Sequence, residues 1–165
     1  MPILPTEMRH LLAAGAVIAL AFPTASVAGG RDVSDGTLSV RDGRGVFIVS
    51  GKGGVIGSFK SGKVIITDPV AGDGTGPIVS GEDWHRERSD TTDVYGGTKV
   101  RFRMIGGAFK VKIVGLGINL SVVGRGTVTM TGAGTLDDGD YSVNGEPYTP
   151  VPDFPLSFPL SSSSP

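Results

Sequence analysis

The chain of 165 residues contains no cysteine, 27 glycines and a formal charge of −1. The missing cysteine excludes disulfides, thiolate metal ligands, a thiol nucleophile and a lipid-modified cysteine. Near-neutral charge gives no global argument for nucleic acid, and no specific nucleic-acid recognition is expected.

At the N-terminus, Arg9 and His10 precede an apolar run from Leu11 to Phe22, followed by Pro23 and the small residues Thr24, Ala25, Ser26, Val27 and Ala28. That is the three-part layout of a secretory signal peptide, expected over residues 1–28 with cleavage after Ala28. The apolar run falls short of the roughly 20 residues that span a bilayer, which argues against an uncleaved anchor. The expected destination is therefore the extracellular space or the cell envelope, and residues 29–37 read as a linker.

From Leu38 onward, glycines punctuate short runs rich in Val, Ile, Thr and Phe, such as "GVFIVSG", "GKVIITD" and "GTVTMTG". Glycine is present at more than double its usual share of about 7%, without the every-third spacing of collagen. Apolar residues recur at every second position, and no helical stripe appears outside the signal segment. The expectation is one all-β antiparallel domain over 38–145, a sandwich or partly closed barrel of about eight to ten short strands, with a β-roll as the alternative. Phe47, Ile56, Val64, Ile66, Phe102, Phe109, Val111 and Ile113 are expected in its core.

An internal repeat aligns Leu38–Gly53 with Leu120–Gly134 through a shared Leu-Ser-Val, Gly-Arg-Gly and closing Gly-x-Gly. It suggests two related halves, 38–80 and 99–145, each using a similar hairpin, with Asp42-Gly43 as the turn of the first. A long charged loop, 81–98, is expected to join them after a short strand at Ile78–Ser80. The proline- and serine-rich segment 146–165 reads as a tail, although the alternation of Phe154, Leu156, Phe158 and Leu160 suggests that part of it lies along the domain.

The stretch "KVRFRMIGGAFKVK" carries five cations and no acid. With Gly106-Gly107 as a two-residue turn, Arg103 faces Lys110 and Arg101 faces Lys112, while the apolar residues pair on the other side. Lys99, Arg101, Arg103, Lys110 and Lys112 then form a basic face suited to an anionic envelope polymer or membrane surface. The competing expectation is that carboxylates of Glu82 to Asp93, or of Asp137 to Asp140, neutralise that face within the domain.

Support for catalysis is thin. His85 is the one histidine after the signal segment, and no Gly-x-Ser-x-Gly elbow occurs. Trp84 and His85 together form a candidate ligand contact, because such a pair can stack on a sugar ring. Asp137, Asp138, Asp140 and Asn144 are the weak calcium candidate, having oxygen ligands but not the EF-hand spacing. "GSFKSGK" resembles a phosphate loop but continues into Val64 and a strand pattern rather than Ser or Thr and a helix. Asn119 heads a glycan acceptor triplet within a strand pattern. No cofactor and no catalytic residue is expected. The first function class is a non-catalytic exported β protein. The alternative is a secreted glycan- or polymer-acting hydrolase, which needs a close carboxylate pair in a cleft, with Asp83, Glu87 and Asp90 as the nearest supply.

Overall fold

The computed structural model describes residues 34–70 and 74–164. The expected signal peptide, its expected cleavage site and residues 29–33 of the expected linker lie outside the described residues. The protein is all-β, and the seven strands among the described residues form one antiparallel sheet: β1 (Gly36–Thr67), β2 (Ile78–Ser80), β3 (Trp84–Ser89), β4 (Thr92–Gly132), β5 (Asp140–Val143), β6 (Thr149–Pro150) and β7 (Leu156–Leu160).

Two of these strands make most of the structure. β1 has 32 residues and β4 has 41, far longer than the usual 3–10. They run antiparallel as a ribbon that coils on itself, so that much of β1 has β4 on both sides: Val49 lies beside Val111 and Val128, and Ile66 beside Asp93 and Val111. The sheet is thus rolled into two layers without closing into a barrel. The short runs visible in the sequence are the straight segments between bends, and each long strand passes from one layer to the other several times.

Glycines occupy the bends. Gly132, Gly45, Gly115, Gly62 and Gly97 follow one another across the ladder, and Gly36, Gly124 and Gly53 do the same at another bend. An ideal Cβ on Gly45 would stand 2.1 Å from the Thr131 carbonyl oxygen, and one on Gly115 would stand 2.4 Å from that of Ser61. The neighbouring backbones therefore approach too closely at the bends for any side chain. Register shifts at the bends also change which alternate positions face inward: Leu38 and Val40, then Phe47 and Val49, are buried on the same continuous strand.

Both layers point their alternate apolar residues into one core. The first supplies Leu38, Val40, Val55, Phe102, Met104, Leu120 and Val122, and the second Phe47, Val49, Val64, Ile66, Val111, Ile113, Val128 and Met130. Tyr141 of β5 meets Phe158 of β7 across the gap, their ring centroids 6.4 Å apart. Among the expected core residues, Ile56 is an exception, 42% exposed. Val55, in step with Phe47 and Val49, takes the inward position and leaves Ile56 on the outer face.

The two repeat copies are not separate hairpins. Gly45 pairs with Gly132 and Gly51 with Gly126, so the copies lie side by side, each carrying its Gly-Arg-Gly through a bend. Asp42, at φ 47°, belongs to an irregularity within β1 rather than to a hairpin turn. The expected charged loop 81–98 is in fact a hairpin of β3 with the start of β4, Trp84 opposite Gly96 and Arg86 opposite Val94. Gly36 and Thr37, expected in the linker, already belong to β1.

The expected tail also contributes structure. β7 pairs with residues 126–130 of β4, and Leu160 is buried. Asn144 fastens this end: its Nδ2 donates to the Ser161 and Ser164 carbonyls, both at 2.9 Å, and its Oδ1 accepts from the Thr37 amide at 2.9 Å. Asn144 is at φ 53°, a conformation asparagine tolerates better than most residues. Asn144→Ala is expected to cost on the order of 3 kcal/mol through lost half-buried hydrogen bonds and backbone strain. Urea denaturation measures it, and a loss below about 0.5 kcal/mol, the range of ordinary surface changes, would show that the latch is unimportant.

Candidate functional site

Gly106-Gly107 does not turn a hairpin. β4 continues through it, the ladder skipping from Lys52–Ala108 to Gly54–Ile105. Arg101 and Arg103 therefore do not face Lys112 and Lys110. Arg103 lies between Ile56 and Ile78, and Arg101 between Ser58 and Ser80. Lys110 lies between Ser50 and Thr67, and Lys112 between Ile48 and Ile65, on the outer face of the other layer. Lys99 sits near the bend that separates them, at φ 60°. The expected single basic strip is thus two cationic surfaces.

The first surface is a groove of about 650 Å³ on the outer side of the layer formed by β2, the 98–105 run of β4, and β1. Its polar lining includes Arg41, Arg101, Arg103, Ser58, Ser80 and Ser121. Strand alternation creates it: Val100, Phe102 and Met104 are buried in the core, and Arg101 and Arg103 are left outside. The exposed Ile56 and Ile78 flank Arg103, where they can support its aliphatic stem while the guanidinium stays in water. Arg41 is positioned by Tyr148, its guanidinium carbon 3.8 Å from the ring centroid, and the Tyr148 hydroxyl is 2.7 Å from that of Ser39.

Among the described residues no carboxylate lines this groove. Asp42, near its Asn119 end, is bound to Lys60 at 2.8 Å, and Asp140 stands opposite Arg41 on β5. The other ion pairs among the described residues join His85 to Asp93 at 2.7 Å and Arg125 to Asp35 at 3.4 Å. None of them involves Arg101, Arg103, Lys110 or Lys112, so the internal neutralisation expected from the acidic segments is not formed there. The hydroxyls of Ser58, Ser80 and Ser121 also have no partner among the described residues. Asn119 is less available, its Oδ1 accepting from the Asp42 amide and its Nδ2 donating to the Gly117 carbonyl.

Trp84 and His85 project to opposite sides of the β3–β4 hairpin. Trp84 shares a side with Gly96, while His85 stacks on Tyr95, their centroids 4.5 Å apart. They do not form one stacking platform. Burial, then the charges of Asp93 and Glu82, raises the Tyr95 hydroxyl above its ordinary pKa.

The four calcium candidates do not converge. Asp138 is consumed by its own loop: Oδ2 accepts from the Gly134 amide at 2.7 Å and the Thr135 amide at 3.1 Å, and Oδ1 accepts from the Thr135 hydroxyl. Asp137 accepts from the Gly139 amide, Asp140 is exposed on β5, and Asn144 holds the C-terminal latch. Among the described residues no cluster of three or more metal-ligating side chains occurs.

The Thr135 hydroxyl, then the Thr135 and Gly134 amides and the charge of Arg44, hold the Asp138 carboxyl below its ordinary value of 3.8 despite its burial. A carboxylate depressed by folding contributes stability above its unfolded pKa and loses it as pH falls toward the folded value. The wild-type urea midpoint should therefore fall below about pH 4 more steeply than that of Asp138→Asn. Parallel curves would show that the loop does not draw on this charge.

Arg41 and the three serines were not legible as a site, because only the coiled register places them beside Arg101 and Arg103. Comparison with known protein families, curated proteins and solved structures returns no match, so the groove is interpreted from its own geometry.

Proposed function

We propose that this chain is an exported, non-catalytic envelope or extracellular protein that binds an acidic polymer along the Arg41–Arg101–Arg103 groove. The observation that carries this reading is three guanidiniums and three serine hydroxyls on one groove, with no carboxylate lining it and no partner for those hydroxyls among the described residues. Guanidinium forks suit carboxylate, sulfate or phosphate groups, and hydroxyls suit the neutral oxygens of a sugar chain. The groove volume lies within the usual range for ligand sites, about 300–1,000 Å³.

The hydrolase alternative asks for two carboxylates in a cleft. Asp83 is engaged by Thr98, accepting from its amide at 2.9 Å. Glu87 lies opposite Asp93, but on an exposed hairpin, and Asp93 is bound to His85. None of Asp83, Glu87 and Asp90 lines the arginine groove, so binding is favoured over hydrolysis.

The test is binding to polygalacturonate by isothermal titration at increasing salt. Exposed charges are screened over roughly 8–10 Å at physiological ionic strength, so affinity should fall steeply between low and physiological salt. Salt-independent binding, or none at low salt, would overturn the proposal.

A further inference from the structure

We infer that the second cationic surface, on the outer face of the other layer, is a docking surface for an anionic lipid bilayer. The register brings its residues together from distant segments. Arg86 stands beside Val94, Val94 beside Ile65, Ile65 beside Lys112, and Lys112 beside Ile48. Lys63 and Lys110 occupy neighbouring positions on the same face, opposite Val114 and Thr67. None of these positions holds an acid, since Glu87 and Asp93 project from the other side of the hairpin.

Trp84 stands at the edge of this face, 47% exposed. Its ring lies across Gly96, where an added Cβ would come within 2.1 Å of it. Lys63, Ile65, His85, Arg86, Arg88 and Val94 line a groove of about 430 Å³ around it. The half-buried Val46, Ile48, Ile65 and Val114 spread among the cations.

This composition differs from that of the serine-lined groove. A broad face mixing cations, β-branched aliphatics and an indole matches the headgroup boundary, where lysine and arginine meet anionic phosphates and tryptophan settles among the glycerol and upper acyl groups. Because the two cationic surfaces lie on opposite layers, a chain seated on a bilayer would turn its arginine groove toward the solvent. The docking surface uses none of the residues assigned to the polymer groove, and the two proposals can fail separately.

Trp84 is the one tryptophan in the chain, so its emission reports this face. Vesicles of two parts phosphatidylcholine to one part phosphatidylglycerol should shift the emission to the blue, and brominated acyl chains in those vesicles should quench it. Pure phosphatidylcholine and soluble polygalacturonate should do neither. Replacing four cations together, Arg86→Gln, Arg88→Gln, Lys110→Gln and Lys112→Gln, should weaken vesicle binding at least 100-fold, since each contributes roughly a factor of five. Polygalacturonate binding should survive in that variant, which also shows that it is folded. Arg101→Gln with Arg103→Gln should leave the vesicle signal intact.

The inference is overturned by an absent blue shift or quenching, by an equal response to neutral vesicles or to the polymer, or by loss of the signal in the groove variant instead. The wild-type quenching measurement needs no substitution, so misfolding of the fourfold variant cannot hide a negative result. Vesicle binding without polymer binding refutes the groove and supports this face, and polymer binding without vesicle binding does the reverse.

Discussion

Gly124→Ala is expected to destabilise the fold by about 3 kcal/mol or more, enough to remove a large part of the stability of a domain of this size. Gly124 lies between Gly36 and Gly53 at a bend, with φ 154°, and an added Cβ would stand 2.1 Å from the Lys52 carbonyl oxygen. The contact is backbone, so no side-chain rotation relieves it, and the adjacent turns of the roll must separate. Gly51→Ala isolates the steric part: its Cβ would meet the Arg125 carbonyl oxygen at 2.1 Å without a left-handed φ. Gly134→Ala isolates the conformational part, because that residue has φ 76° but nothing within 4 Å, and should cost only about 1 kcal/mol. Guanidinium denaturation of the three variants distinguishes these contributions. Equal small losses at all three would mean that the ribbon does not coil as described.

The second large effect concerns binding. Arg101→Gln with Arg103→Gln should weaken polygalacturonate binding by more than about 100-fold, from the loss of two charge-assisted contacts of roughly 1.5–3 kcal/mol each. Stability should change by less than about 0.5 kcal/mol, the range of ordinary surface substitutions, because no carboxylate partner is left unpaired when these guanidiniums go. Had acidic segments neutralised the arginines, the same variant would have been destabilised with no binding to lose. Isothermal titration and a urea midpoint on the one variant measure both quantities.

The alternation of apolar and polar residues was sufficient to read strands, and it correctly sent Phe102, Phe109, Val111 and Ile113 inward and the cations outward. What the alternation does not contain is the identity of the neighbouring strand. Gly106 and Gly107 both have positive φ, 84° and 73°, which a tight hairpin turn and a bulge in a continuing strand equally demand. The deciding factor lies some fifty residues earlier, where Lys52 and Gly54 continue the ladder on either side of the glycine pair. Ile56 was expected in the core from strand alternation, but the period-two frame that begins at Phe47 buries Val55 and leaves Ile56 outside. The prolines of the C-terminal end read as a tail while the alternation of Leu156, Phe158 and Leu160 placed part of it along the domain, and β7 does pair along one edge of β4, a position that proline tolerates.

Only the two arginines of β4 were legible in the same way. Arg101 and Arg103 stood out as part of a cation run, but their companions did not: Ser58 and Ser80 come from β1 and β2, and Arg41 from the opening of β1. Lys110 and Lys112 seemed to belong with those arginines because they are close in sequence, and a bend in β4 puts them on the other layer. A coiled ribbon makes near neighbours in sequence into opposite faces and distant segments into one face, and no local pattern records that.

The most direct measurement is a chemical-shift titration of the isotopically labelled protein with a short oligogalacturonate at low salt. Perturbations are expected to concentrate at the backbone amides of Ser58, Ser80, Arg101, Arg103 and Ser121 and at the Arg41 side chain, with Lys110 and Lys112 unmoved. Perturbations confined to the Lys110 and Lys112 face, or none at saturating ligand, would contradict binding in the arginine groove.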